Sequence, residues 1–197
     1  GIKPESALVI GGGDGGTATG LLSLGFKNVT NVEIDSQVVE VSKKFFPGLS
    51  SAFKDSRCNL IIDDGIKYVR NISNKFDFVL VDSTDPEGPA EGLFSEEFYK
   101  SIHGALKAGG VAVTQSGSPL YQPKAIKLAN SGMKKAFRHV YTYCCFIPTY
   151  PSGFWSFTMG SDSDRKFQSN VRSGKYFNSE ILHGALSLPQ FVRDMIG

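Results

Sequence analysis

Phe76-Asp77-Phe78-Val79-Leu80-Val81-Asp82-Ser83-Thr84-Asp85-Pro86 is the stretch whose reading decides the fold. An apolar run of this length, closed by Asp, Ser and Pro, reads as a buried parallel strand whose carboxyl end opens into a loop, Glu87-Gly88-Pro89-Ala90-Glu91. In open α/β sheets ligands sit just outside such strand ends. Asp82 and Asp85 stand three residues apart with no His or Cys beside them. That pairing suits holding and deprotonating a cationic amine better than holding a transition metal. A polar turn in which Asp85 merely precedes proline is the plainer alternative. The functional reading ranks above it because the same construction occurs upstream.

There, Ala7-Leu8-Val9-Ile10 is a buried strand that runs into Gly11-Gly12-Gly13-Asp14-Gly15-Gly16, with a helix predicted over residues 17–24. Glycines at such a turn let backbone amides approach a ligand beside a helix N-terminus. Asp14 within the loop repels a pyrophosphate and favours a positively charged group. Gly20, inside the predicted helix, costs about 1 kcal/mol relative to Ala.

The next strand, 29–34, ends in Glu33-Ile34-Asp35, and Ser36 is the expected N-cap of a helix through residue 46. Glu33 follows the glycines by about twenty residues, the offset at which an acid in this kind of unit binds ribose hydroxyls. The alternative is a helix-capping acid, a role to which Asp35 has the better claim. A third strand, 59–62, ends in Asp63-Asp64-Gly65, where an acid can accept from an adenine amine or cap a helix over 66–71. Residues 95–106 form an amphipathic helix with Phe98, Ile102 and Leu106 inward, and Ala108-Gly109-Gly110 breaks it before a fifth strand, 111–115, that ends at Gln115.

A helix over 123–137 leads to alternating strands at 139–146 and 154–161. The connection, Ile147-Pro148-Thr149-Tyr150-Pro151-Ser152-Gly153, is stiffened by two prolines and presents Tyr150 in a fixed place. A structural tyrosine capping the sheet is an equal reading. Residues 162–178 are a polar excursion, and 189–196 a terminal helix. The order of elements predicts one α/β domain with a Rossmann-like, mostly parallel sheet, an antiparallel last strand and helices on both faces.

Composition agrees. The chain has 197 residues, 41% hydrophobic and 20% charged, which suits one globular domain and excludes disorder. Neither a signal-peptide apolar region nor a run of about 20 apolar residues is present, so no membrane partner is expected. Cys58, Cys144 and Cys145 lack zinc-ligand spacing and read as free thiols of a reducing cytoplasm. The net charge of +2 conceals an acidic first half, net −6 over residues 1–98, and a basic second half, net +8. An acidic cleft attracts a cationic substrate, although a solvated acidic face gives the same count. The basic half has no dense cationic cluster interleaved with aromatics, so nucleic acid is not an expected partner. His103, His139 and His183 are scattered and read as structural or surface residues.

As a set, Gly11–Gly16, Val32-Glu33-Ile34-Asp35, Asp64-Gly65, Asp82 to Pro89, Leu93-Phe94, Tyr99 and Pro148 to Gly153 resemble the spermidine synthase (polyamine aminopropyltransferase) family, in family order. The resemblance runs from about residue 7 to 161, with a further echo between Tyr176 and Pro189. It implies a methyltransferase-like Rossmann domain that moves an aminopropyl group from decarboxylated S-adenosylmethionine to putrescine, releasing 5'-methylthioadenosine. It also implies roles. Gly11, Gly12, Gly13, Glu33, Ile34, Asp64, Gly65, Pro89 and Leu93 would hold the nucleoside, with Glu33 on the ribose and Asp64 on the adenine amine. Asp14, Asp82, Ser83, Thr84, Asp85, Tyr150 and, less strongly, Gln115 would hold the aminopropyl group and the amine. Asp82 would accept the proton and Tyr150 would hydrogen-bond the attacking nitrogen.

No metal or resident cofactor is expected, the decarboxylated S-adenosylmethionine being a co-substrate. The partners expected are that nucleoside and a diamine, with a homodimer left open. The family's N-terminal β-rich domain is expected to be absent, and Thr19-Gly20 stands where the family commonly has Arg-Glu. Two other functions compete: a methyltransferase of the same fold, and a catalytically weak nucleoside- or polyamine-binding homologue.

Overall fold

The computed structural model describes residues 3–84, 86, 88–167 and 175–197. Asp85 and Glu87 lie outside the described residues, as does the side chain of Pro89. Seven strands form one sheet: β1 (Ser6–Gly11), β2 (Asn28–Glu33), β3 (Cys58–Ile62), β4 (Phe76–Asp82), β5 (Leu106–Gln115), β6 (His139–Phe146) and β7 (Phe154–Ser161). Their spatial order is β3-β2-β1-β4-β5-β7-β6. β1 to β5 are parallel, and β7 runs antiparallel between β5 and β6. The expected sheet is therefore the one found.

β1 is central, and its apolar run has no polar face because both sides are covered. Leu8 and Ile10 point into a core completed by Val79, Phe98, Ile102 and Met133. Ala7 and Val9 point the other way, onto Leu21, Leu22 and Phe26. The first core lies under α3 (Gly65–Arg70), α4 (Glu96–Ala105) and α5 (Pro123–Ala136). The second lies under α1 (Gly16–Ser23) and a 3-10 helix over Leu49–Lys54, with α2 (Ser36–Phe45) beside it. Two short helices, α6 (Ser179–Leu186) and α7 (Gln190–Ile196), close the chain, α7 burying Val192 against Ile126 and Cys144.

Local departures from expectation have identifiable causes. Of the two caps the sequence offered for α2, Asp35 and Ser36, it is Asp35 that serves, its carboxylate accepting from the Gln37 N–H at 2.8 Å. β5 starts at Leu106 instead of Val111: Leu106 pairs with Phe76, and Val111 pairs with Phe78. A bulge thus absorbs Gly109-Gly110, which read from sequence as a break, and Leu106 belongs to the strand. The 3-10 helices over Leu49–Lys54 and Gly88–Phe94 and the helix α6 have no counterpart in the sequence reading. Each is short, and α6 buries no residue, so none carries a usable hydrophobic period.

From β1 the chain steps outward to β2 and β3, then returns to the other side of β1 as β4 and β5. The crevice beyond the carboxyl ends of β1 and β4, where Gly11 pairs with Asp82, is the topological switch point of the sheet.

Candidate active site

A cavity of about 890 Å³ opens at this switch point. Its floor is the glycine loop. Gly11 has φ +82°, and a side chain there would collide with the Asp82 carbonyl, which instead accepts from the Gly12 N–H at 3.0 Å. Asn31, fully buried, donates its amide to the Gly11 carbonyl at 2.8 Å and fixes the loop from β2. A Cβ on Gly13 would stand 2.8 Å from Glu33 Oε2, so the missing side chain is what leaves room for that carboxylate. Glu33 is itself 8% exposed, and its Oε1 accepts from the Asp35 N–H at 3.0 Å.

The end of β3 contributes Asp64. The capping reading is the one its hydrogen bonds show: Oδ1 caps α3 by accepting from Ile66 N–H at 2.8 Å and Lys67 N–H at 3.3 Å, while the residue also lines the cavity. Gly65 sits beside it in the lining. Ile34 and Val38 form an apolar wall on the β2 side, and Ala90 and Leu93, from the 3-10 helix over Gly88–Phe94, face the cavity opposite. A flat apolar slot flanked by two carboxylates suits a nucleoside.

The opposite end is built around Asp82. Its Oδ2 accepts a 2.6 Å hydrogen bond from the Thr17 hydroxyl in the first turn of α1. Burial pushes the Asp82 carboxyl above its ordinary range, Thr17 draws it back down, and the charge of Asp14 pushes it up again. Asp14 is exposed at the rim, where its Oδ1 accepts from the Gly16 N–H at 2.9 Å.

Ser83 and Thr84 line the cavity and are clamped from β5, Gln115 Nε2 donating to their carbonyls at 3.0 and 3.3 Å. The Gln115 Oε1 accepts from Gly117 N–H at 3.1 Å and from the Trp155 indole at 3.2 Å. Both amide hydrogens and both lone pairs of Gln115 are therefore engaged. Trp155 in turn stacks on Tyr150, with centroids 4.0 Å apart and rings 17° from parallel. The Tyr150 loop closes on itself through Ile147 N–H to the Gly153 carbonyl at 2.7 Å and Gly153 N–H to the Tyr150 carbonyl at 2.9 Å.

The structure thus gathers Gly11, Gly12, Gly13, Asp14, Glu33, Ile34, Asp64, Gly65, Asp82, Ser83, Thr84, Leu93, Gln115 and Tyr150 around one cavity. Asp85 lies outside the described residues. Sequence reasoning missed Thr17, Asn31, Ser118, Tyr121, Gln122 and Trp155. For Trp155 a signal existed, an aromatic two residues beyond the Tyr150 turn on the inward phase of β7. For Thr17 and Asn31 none did, since their partners are distant in sequence. Among the described residues no cluster of three His, Cys, Asp or Glu side chains could hold a metal ion, and no helix is long and apolar enough to cross a membrane.

This fold and cavity define a Rossmann-like domain of the methyltransferase type, with a cavity at the switch point that is lined by carboxylates at both ends. A family model described as the spermine/spermidine synthase domain matches residues 2–170. The polyamine aminopropyltransferase of Thermoplasma volcanium is 64% identical over 193 residues, covering 98% of this chain and 71% of the relative. Its counterpart from Thermoplasma acidophilum is 61% identical with the same coverage. Among solved structures, a spermidine synthase in complex with the transition-state analogue AdoDATO superposes with a TM-score of 0.90 at 36% identity, covering 98% of this chain and 69% of that one. The spermidine synthase from Thermotoga maritima gives 0.88 at 36% identity, covering 98% and 68%. The chain belongs to the spermine/spermidine synthase family.

Proposed function

We propose that this chain transfers the aminopropyl group of decarboxylated S-adenosylmethionine to putrescine, giving spermidine and 5'-methylthioadenosine, with no metal or resident cofactor. The observation that carries the reading is Asp82: a partly buried carboxylate at the switch point, between a slot suited to a nucleoside and a compartment walled by Ser83, Thr84 and Tyr150.

In this reading Glu33 holds the ribose hydroxyls and Asp64 the adenine amine, while Ile34, Gly65, Pro89 and Leu93 line the base and the glycine loop carries the backbone. Asp14 attracts the aminopropyl ammonium. The acceptor amine, with a pKa of about 10, arrives protonated. Asp82 takes one proton from it, assisted by Asp85 at the other end of the diamine and by Tyr150 at the attacking nitrogen. The freed lone pair forms the N–C bond to the aminopropyl carbon next to sulfur as the C–S bond breaks toward sulfur. The sulfonium leaves as a neutral thioether, and the new secondary amine retains its positive charge. Because the leaving group loses its charge unaided, alignment of the two reactants supplies much of the rate.

Gln115, with all four hydrogen-bonding positions taken by protein groups, acts on the acceptor through Ser83, Thr84 and Trp155. The chain works as one catalytic domain with its core at residues 7–161, is cytoplasmic, takes no nucleic acid and can assemble as a homodimer.

The test is methylthioadenosine release with putrescine, cadaverine and spermidine as acceptors, for this chain and for Asp82→Asn. The variant should lose about 10²- to 10⁴-fold in turnover and still bind methylthioadenosine. Undiminished turnover in Asp82→Asn would remove the assigned base. Accumulation of S-adenosylhomocysteine from S-adenosylmethionine would mark a methyltransferase instead, and nucleoside binding without any turnover a binding homologue.

A further inference from the structure

Thr17 has no role in the assignments above, yet it makes the shortest hydrogen bond to the proposed base. Its Oγ1 lies 2.6 Å from Asp82 Oδ2, a separation typical of a hydroxyl donating to an ionised carboxylate. An ionised carboxylate only accepts, so the proton of this bond belongs to Thr17. The partners are 65 residues apart in sequence. They meet because α1 leaves the glycine loop directly over the end of β4, with Gly12 bonded to the Asp82 carbonyl. Among the described residues, no hydrogen bond reaches Asp82 Oδ1.

We infer that Thr17 is a positioning residue for the transfer reaction: its hydroxyl occupies Oδ2 of Asp82, fixes the carboxylate plane, and leaves Oδ1 as the oxygen presented to the acceptor amine. The inference rests on Asp82 being the base. Electrostatics give the bond a second consequence. The ionisable side chains around the cavity are Asp14, Glu33, Asp64, Tyr121 and Tyr150, and no Lys, Arg or His is among its described lining residues. Burial first, and the Asp14 charge after it, both favour protonated Asp82, and the Thr17 hydrogen bond opposes them. A base must be ionised before it can accept a proton. Without the Thr17 hydroxyl, Asp82 would stay protonated to higher pH, and the acid limb of the rate profile would move up with it.

The experiment compares the full chain with Thr17→Val, Thr17→Ser and Asp82→Asn. Turnover of decarboxylated S-adenosylmethionine and putrescine is followed across pH, and the Asp82 carboxyl is titrated by carbon NMR with methylthioadenosine bound. Thr17→Val should lower kcat about tenfold, move both the acid limb and the Asp82 midpoint up by about one pH unit, and leave methylthioadenosine affinity within about twofold. Thr17→Ser, which keeps the hydroxyl, should restore both midpoints. An unmoved Asp82 midpoint in Thr17→Val would overturn the inference, as would a Thr17→Ser as impaired as Thr17→Val, since that would make the role one of packing. The NMR titration reads the bond even without turnover. Asp82→Asn separates the two levels: if it turns over normally the base assignment fails and this inference with it. If it is inactive while Thr17→Val keeps the wild-type profile, only this inference fails.

Discussion

The two ends of the cavity are built in opposite ways. At the nucleoside end the acids are held locally: Glu33 accepts from Asp35 and Asp64 from Ile66, each pair two residues apart. At the acceptor end the contacts bridge distant segments: Thr17 reaches Asp82 over 65 residues, Gln115 reaches Ser83 over 32, and Trp155 reaches Gln115 over 40. The first end is a series of strand-to-helix turns, each able to hold its acid unaided. The second exists only when β4, β5 and β7 are in register. Nucleoside binding should therefore tolerate damage that acceptor use does not.

Gln115→Leu is the strongest way to break that contrast. It leaves the Trp155 indole and the Gly117 N–H without an acceptor and two carbonyls without their donor, all in or near a buried site. We expect a loss of about 2–4 kcal/mol in stability, read as a Tm lower by roughly 5–15 °C. The KM for putrescine should rise about tenfold, with methylthioadenosine affinity unchanged in calorimetry. If nucleoside affinity fell equally, the two ends would be one unit. Glu33→Gln sharpens the contrast from the other side. It should weaken methylthioadenosine binding about 10- to 100-fold while kcat at saturating donor stays within a few-fold of wild type. Gly20→Ala should touch neither end. A Cβ at Gly20 meets nothing within 4 Å, so the helix gains about 0.5–1 kcal/mol, seen as a Tm higher by about 1–4 °C with unaltered kinetics.

The same division explains what could be read from the sequence. The strands, the glycine loop and the acids at the strand ends were legible because each depends on a nearby pattern: an apolar run, a glycine turn, an acid at the following strand end. β6 and β7 were placed to the residue, as alternation and the Pro-Gly turn between them leave little choice of register. Thr17 and Asn31 were not legible as site residues because their significance lies in partners that only the closed sheet brings close. Gln115 was a candidate only through the family resemblance, and its four protein contacts arise where β4, β5 and β7 meet. The start of β5 was misplaced because a bulge lets Gly109-Gly110 remain in the strand, and no local rule separates that from a break.

The pairing of Gly11 with Asp82 also bears on how the molecule is made. β1 leaves the ribosome about 70 residues before β4, an interval of roughly 4–14 s at ordinary rates of synthesis. Through that time Ala7 to Ile10 can pair with β2 on one side, while the other edge waits as an open apolar template. The glycine loop is unfinished for just as long, because the Gly12 amide finds its acceptor on Asp82. Glu33 and Asp64 are thus in the nascent chain well before the slot is complete, since Ala90 and Leu93 follow β4, and ligand-assisted folding can begin only after β4 has docked.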